Sequence, residues 1–283
     1  MIPPFFSQMN NQLSRRNFWI IALNSIIAFV LSYLFIFYIN QLSFVLTAGM
    51  YDYEISIDYN GYFFHIEPYE WTHDAVIMIF SSGYILTLIF GILSLLAFYQ
   101  LVADAIPFKV FFFWLSFHAI TYFFGGLMLG NLLTEGIGHV FNWMYLTDTF
   151  KMIISLIGFF GLLLMSIFSA RLVALSANAY FVRYNERIAP FFITAQVIVP
   201  YLIGSALIYI YFLPDGQFHE RFSWIIMGVM LILFFLRSRY SDDLMFEEDD
   251  NRTIRLMRGL VVFTVLFYAL SRVLLHKSIY FVW

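Results

Sequence analysis

The sequence contains no cysteine. Disulfides, thiolate-bound zinc, iron–sulfur clusters and thiol catalysis are excluded, and redox usage says nothing about the compartment. Charge is scarce as well. Only 12% of residues are Asp, Glu, Lys or Arg, against about 25% in a soluble domain. So few charges cannot clothe a water-facing surface, and the expected solvent is lipid. A net charge of −3 without any basic stripe argues against nucleic acid as a partner. The chain also lacks HExxH, a Walker loop and GxSxG, so zincin, nucleotide and serine-hydrolase chemistry have no motif to rest on. No internal repeat is visible, and the chain reads as one polytopic domain over residues 1–283.

What fills the chain is apolar: 62% of residues are hydrophobic and 22% aromatic. About 20 such residues cross the hydrocarbon core as a helix. Uncharged runs of that order occupy Phe18–Ile39, Ala75–Ala103, Val110–Thr134, Met152–Ala170 and Ile188–Pro214. Two shorter runs, Phe222–Leu236 and Gly259–Leu275, span if their flanking Arg or Lys side chains reach the headgroups. The expected fold is an all-α integral membrane bundle of about seven transmembrane spans, six if one of these does not cross. The N-terminal apolar run is too long for a signal core and no small-residue cleavage site follows, so it reads as a retained span.

Lys and Arg set the orientation. With seven spans and the N-terminus inside, Arg15, Arg16, Lys109, Arg171, Arg183, Arg187, Arg237, Arg239, Arg252, Arg255 and Arg258 fall inside, and Lys151, Arg221, Arg272 and Lys277 outside. This predicts an outer C-terminus. The charge asymmetry and short chain suit a bacterial cytoplasmic (inner) membrane.

Two loops stand out. In the outer segment 49–74, Tyr51, Tyr53, Ile55, Ile57 and Tyr59 alternate with Asp52, Glu54, Ser56 and Asp58, the period of a strand. Asn60-Gly61 then suits a two-residue turn. A small β-hairpin capping the outer face is expected, in a segment with six acids and no Lys or Arg. The inner loop 237–258 holds six acids between Asp242 and Asp250. It does not fit an EF-hand, and it reads as a solvated charge run pairing with Arg252, Arg255 and Arg258.

Candidate chemistry is sparse. Glu135 and His139 lie four apart and Asn142 extends their face, although Gly136 and Gly138 make a regular helix there doubtful. His118 stands about 12 Å into the third span, where an ionisable group is a functional candidate by default. Thr121, Tyr122 and Gly125 share its face. His118 and Glu135 are roughly 25 Å apart along a straight helix, too far to ligate one ion unless the chain bends at Gly125-Gly126. Gly126 and Gly130 form a GxxxG that allows close helix packing. Asn24, Gln196 and Pro200 are further polar or broken points, so His118, Asn24, Gln196, Glu135, His139 and Asn142 are the cavity or relay candidates. No cofactor is expected; a divalent metal would have to draw on His65, His73, Glu135 and His139, with Glu67, Asp74, His219 and Glu220 on the same side.

The reading with the fewest assumptions is a non-catalytic membrane subunit or scaffold, partnered by the lipid bilayer and by another membrane protein or a second copy. A small-molecule or ion transporter with a polar cavity is the first alternative. A membrane-embedded metal-dependent hydrolase is the second.

Overall fold

A computed structural model describes residues 13–214, 226–228, 230, 231, 234, 243–246, 252 and 254–283. The chain is mostly helical, with a small antiparallel sheet at one end. In order the elements are α1 (Arg15–Gly49), β1 (Ile55–Ile57), β2 (Tyr62–Phe64), α2 (His73–Gln100), α3 (Lys109–Leu133), α4 (Ile137–Trp143) and α5 (Asp148–Ser176). A short strand β3 (Arg183–Tyr184) follows, then α6 (Ala189–Phe212), β4 (Leu244–Met245), α7 (Arg258–Leu274) and β5 (Ile279–Phe281). Among the described residues five helices, α1, α2, α3, α5 with its last turn, and α6, are long and apolar enough to cross a membrane. The expected sixth span, Phe222–Leu236, lies partly outside the described residues. Within it residues 226–228, 230, 231 and 234 are helical.

The bundle is turned inside out relative to a soluble protein. Ser25, Ser32, Thr87, Ser116, Ser169 and Thr264 are buried, while Ile89, Leu96, Ile157, Leu164, Val265 and Val273 are exposed. α7 repeats the pattern alone: it buries Thr264 and Ser271 and exposes Val262, Phe263, Leu266 and Leu270. Apolar surface left outside on this scale costs free energy in water and nothing in hydrocarbon.

Local chemistry sets the helix ends. The Ser14 hydroxyl accepts from Asn17 N at 3.3 Å and caps α1, and Thr72 caps α2 by accepting from Ala75 N at 3.4 Å. α6 is interrupted by a π-helical turn at Thr194–Ile198. The cause is Pro200, which lacks an N–H and crowds the carbonyl four residues back. That carbonyl belongs to Gln196, and it accepts instead from Ser25 Oγ at 2.6 Å, which in turn accepts from Trp114 Nε1 at 2.7 Å.

α7 runs parallel to α1. Near its start Met257 N donates to Asn24 Oδ1 at 2.9 Å; just past its end Leu275 O accepts from Tyr59 N at 3.1 Å. The chain therefore finishes at the end of the bundle where α1 finishes, and β5 joins the hairpin as a third strand. The order is β2-β1-β5, all antiparallel, with Ile57 opposite both Tyr62 and Ile279.

The expected hairpin forms, but its turn is displaced. Asp58 N donates to Gly61 O at 3.0 Å and Ile57 pairs with Tyr62, so the chain reverses at Tyr59-Asn60 and not at Asn60-Gly61. Neither Asn60 nor Gly61 takes the positive φ that the Asn-Gly turn needs. Asp58 Oδ1 accepts from both Asn60 N at 2.7 Å and Gly61 N at 3.0 Å, and an Asx turn of this kind supplies the reversal instead. At the opposite end Asp243 pairs with Arg183 at 2.7 Å. The expected partner Arg252 binds Asn178, with Nη2 2.7 Å from Oδ1. The other acids of that loop, Asp242 and residues 247–250, lie outside the described residues.

Candidate functional site

The third span ends one residue before the αL residue Thr134, and Gly136 takes φ 53° and ψ −121°, a conformation open only to glycine. α4 then starts in a new direction. Glu135 and His139 are thus not on one helix face as the spacing alone suggested. The break turns them toward α1 and α2. A Cβ on Gly136 would also overlap the Tyr84 hydroxyl, and one on Gly126 would overlap the Tyr84 ring. These two glycines make the slot in which Tyr84 of α2 stands.

Beside that slot lies a cavity of about 460 Å³. α1 supplies Tyr33, Phe37, Asn40, Gln41 and Phe44; α3 supplies its length from His118 to Leu133, about 22 Å of helix. Tyr62 and Gly61 of the hairpin, and Glu135, Gly136 and His139 after the break, close the hairpin end. The cavity therefore runs from mid-bundle to the hairpin end. His118 stands in its wall at the deep end and the exposed Glu135 where it meets the surface. His118 and Glu135 cannot hold one ion, yet one cavity reaches both.

Three wall residues carry buried polar atoms without a hydrogen-bond partner among the described residues: Asn40 Oδ1, Gln41 Oε1 and His118 Nε2. Each of these side chains is more than nine-tenths buried. Such an atom costs roughly 1–3 kcal/mol when nothing satisfies it. One of the three is fixed in orientation. Gln41 Nε2 donates to the Asp58 carbonyl at 3.4 Å, and a carbonyl can only accept, so Oε1 is the atom left over. The His118 ring packs against α1 and leaves Nε2 at the cavity wall. Rings hold that imidazole in place, Phe29 at 4.5 Å and Tyr33 at 5.5 Å between centroids.

At the mouth, His139 packs on the Phe80 ring at 4.7 Å. Burial pulls its imidazole below the ordinary range, and the neighbouring Glu135 carboxylate opposes that pull.

The other sequence candidates lie elsewhere. Asn24 contributes structure: it bonds Met257 N, the Arg255 carbonyl at 3.0 Å and the Tyr180 hydroxyl at 3.4 Å, joining α1 to the start of α7. The Gln196 side chain is fully buried in the π-helical turn, off the cavity. Asn142 Oδ1 accepts from Lys151 Nζ at 2.7 Å at the surface. The four residues considered for metal do not meet. His65 Nε2 bonds Ser56 Oγ at 2.7 Å within the sheet, and His73 stacks on Tyr145 at 6.5 Å. Among the described residues no three His, Asp or Glu side chains gather closely enough to hold a metal ion. His219 and Glu220 lie outside the described residues.

Sequence reasoning passed over Asn40 and Gln41. The first apolar run read from the sequence stops at Ile39, and neither residue was given a role. The signal was available in Leu-Ser-Phe-Val-Leu-Thr-Ala-Gly immediately after them: the apolar run resumes, and α1 continues to Gly49. Tyr33, Tyr62 and Tyr84 were equally invisible, because aromatic residues occur everywhere in this chain. No protein-family model, curated protein or solved structure matches the chain.

Proposed function

We propose that this chain is a multi-pass membrane protein of seven spans that carries a small polar solute, with the cavity between α1, α2 and α3 as its solute site. The N-terminus is inside and the hairpin and C-terminal strand lie outside, in keeping with the Lys and Arg bias. One observation carries the reading: three buried polar atoms at the wall of one 460 Å³ cavity have no hydrogen-bond partner among the described residues. The size lies in the range of small-molecule sites, and a polar wall at membrane depth is expensive to maintain unless something uses it. A scaffold that only fills space leaves those atoms without a purpose.

The test is solute binding and uptake by the purified full chain. In sealed proteoliposomes, uptake of a solute that raises the melting temperature should saturate, and Gln41→Leu should reduce it at least tenfold. A chain that neither takes up nor is stabilised by any of a broad solute panel, and that always purifies with a second membrane protein, would return the reading to a non-catalytic subunit.

A further inference from the structure

We infer that the solute is an organic ammonium ion bearing N–H donors, an inference that rests on the cavity being a solute site. The unpartnered atoms decide the sign of the chemistry. Among the described residues the cavity's unpartnered atoms are the acceptors Asn40 Oδ1 and Gln41 Oε1, with His118 Nε2; the unpartnered buried N–H donors, Gln196 Nε2, Arg183 Nε, Arg252 Nη1 and Arg272 Nη1, belong to side chains that do not line it. Gln41 cannot reverse its role without breaking the bond to the Asp58 carbonyl. The occupant must therefore donate.

The rest of the wall fits a cation. Among the described residues it contains no Lys or Arg, and its one acidic side chain is Glu135. Tyr33, Tyr62, Tyr84 and Tyr122 contribute aromatic rings, whose electron-rich faces attract ammonium groups. The segment 49–74 next to the mouth has six acids and no Lys or Arg, a field that gathers cations and repels anions. A bare metal ion is the wrong size for 460 Å³ and finds no cluster of three ligands among the described residues. A quaternary ammonium would satisfy the rings and leave the amide acceptors Asn40 Oδ1 and Gln41 Oε1 empty. A primary ammonium on an apolar or aromatic body satisfies both.

The experiment measures thermal stabilisation of the full chain in detergent by four probes: phenethylammonium, tetramethylammonium, benzoate and glucose. The expected result is saturable stabilisation by phenethylammonium, at least tenfold weaker binding of tetramethylammonium, and none by benzoate. Gln41→Leu should weaken phenethylammonium at least tenfold. Glu135→Gln, a near-isosteric change at an exposed position, should weaken it severalfold, so the test survives if the Gln41 variant fails to fold. Preferential binding of glucose or benzoate would overturn the ammonium assignment and leave a solute cavity standing. Stabilisation by none of the four, with the protein folded, would remove both.

Discussion

The guanidinium carbon of Arg272 lies 3.3 Å from the centroid of the Tyr59 ring. The same side chain donates to the Leu213 carbonyl at the end of α6, while Tyr59 N donates to Leu275 O. One arginine thus ties the last helix to the tip of the hairpin, and the hairpin residues just beyond that tip, Gly61 and Tyr62, close the cavity. A double-mutant cycle with Arg272→Leu and Tyr59→Leu should give a coupling of about 0.5–2 kcal/mol. Melting temperatures of the four proteins measure it, and additive effects would mean that the contact holds nothing in place.

A second prediction concerns the mid-bundle knot. Ser25→Ala leaves the Gln196 carbonyl and Trp114 Nε1 without their partner, and both are buried. Interhelical hydrogen bonds in membranes average about 0.6 kcal/mol. Two orphaned groups should cost more, about 1–3 kcal/mol. Because Pro200 is what frees that carbonyl, the cost should shrink in a Pro200→Ala background, where the helix can supply its own N–H. Equal costs in both backgrounds would break the link between the proline and the serine.

Much of this architecture was legible in the residues, and the reasons are physical. Runs such as Ala75–Ala103 have one meaning in water and another in lipid, and their length matches one bilayer thickness. The alternation from Tyr51 to Tyr59 marked a strand whatever its partner. The turn was less legible, because Asn60-Gly61 is a local preference and Asp58, Leu275 and Arg272 overruled it through contacts spread along the chain. The cavity was legible only at His118, Glu135 and His139, where a polar side chain interrupts an apolar context. Asn40 and Gln41 stand just past the first uncharged run, and which Gln41 amide atom lacks a partner depends on the Asp58 carbonyl, which no sequence pattern pairs with it. The third strand, Ile279–Phe281, pairs across more than 200 residues and carried no local sign.

Gly136 tests the chain break that brings Glu135 and His139 to the mouth. Gly136→Ala forces a side chain into φ 53°, ψ −121° and against the Tyr84 hydroxyl. The backbone conformation alone should cost about 1–3 kcal/mol, and the displaced Tyr84 should loosen the cavity wall. Gly259→Ala is the control, since a Cβ there meets nothing within 4 Å and the residue sits in the first turn of α7. It should be neutral or slightly stabilising. Similar losses for both would show that the Gly136 conformation carries no special cost.

Acid should weaken the mouth through His139. Its imidazole titrates below the ordinary value because burial against Phe80 disfavours the charged form, with Glu135 only partly offsetting this. The unfolded chain, with an imidazole pKa of about 6.5, takes up a proton before the folded one does. The contribution of neutral His139 is therefore fully present above about pH 6.5 and is lost as the pH falls through its lower folded-state value. The difference in melting temperature between the wild type and His139→Gln should be constant from pH 8 to 7 and then shift against the wild type as the pH drops toward 5. A difference that stays flat over the whole range would mean that His139 is solvated in the folded protein, and that the α4 segment does not pack over the cavity mouth.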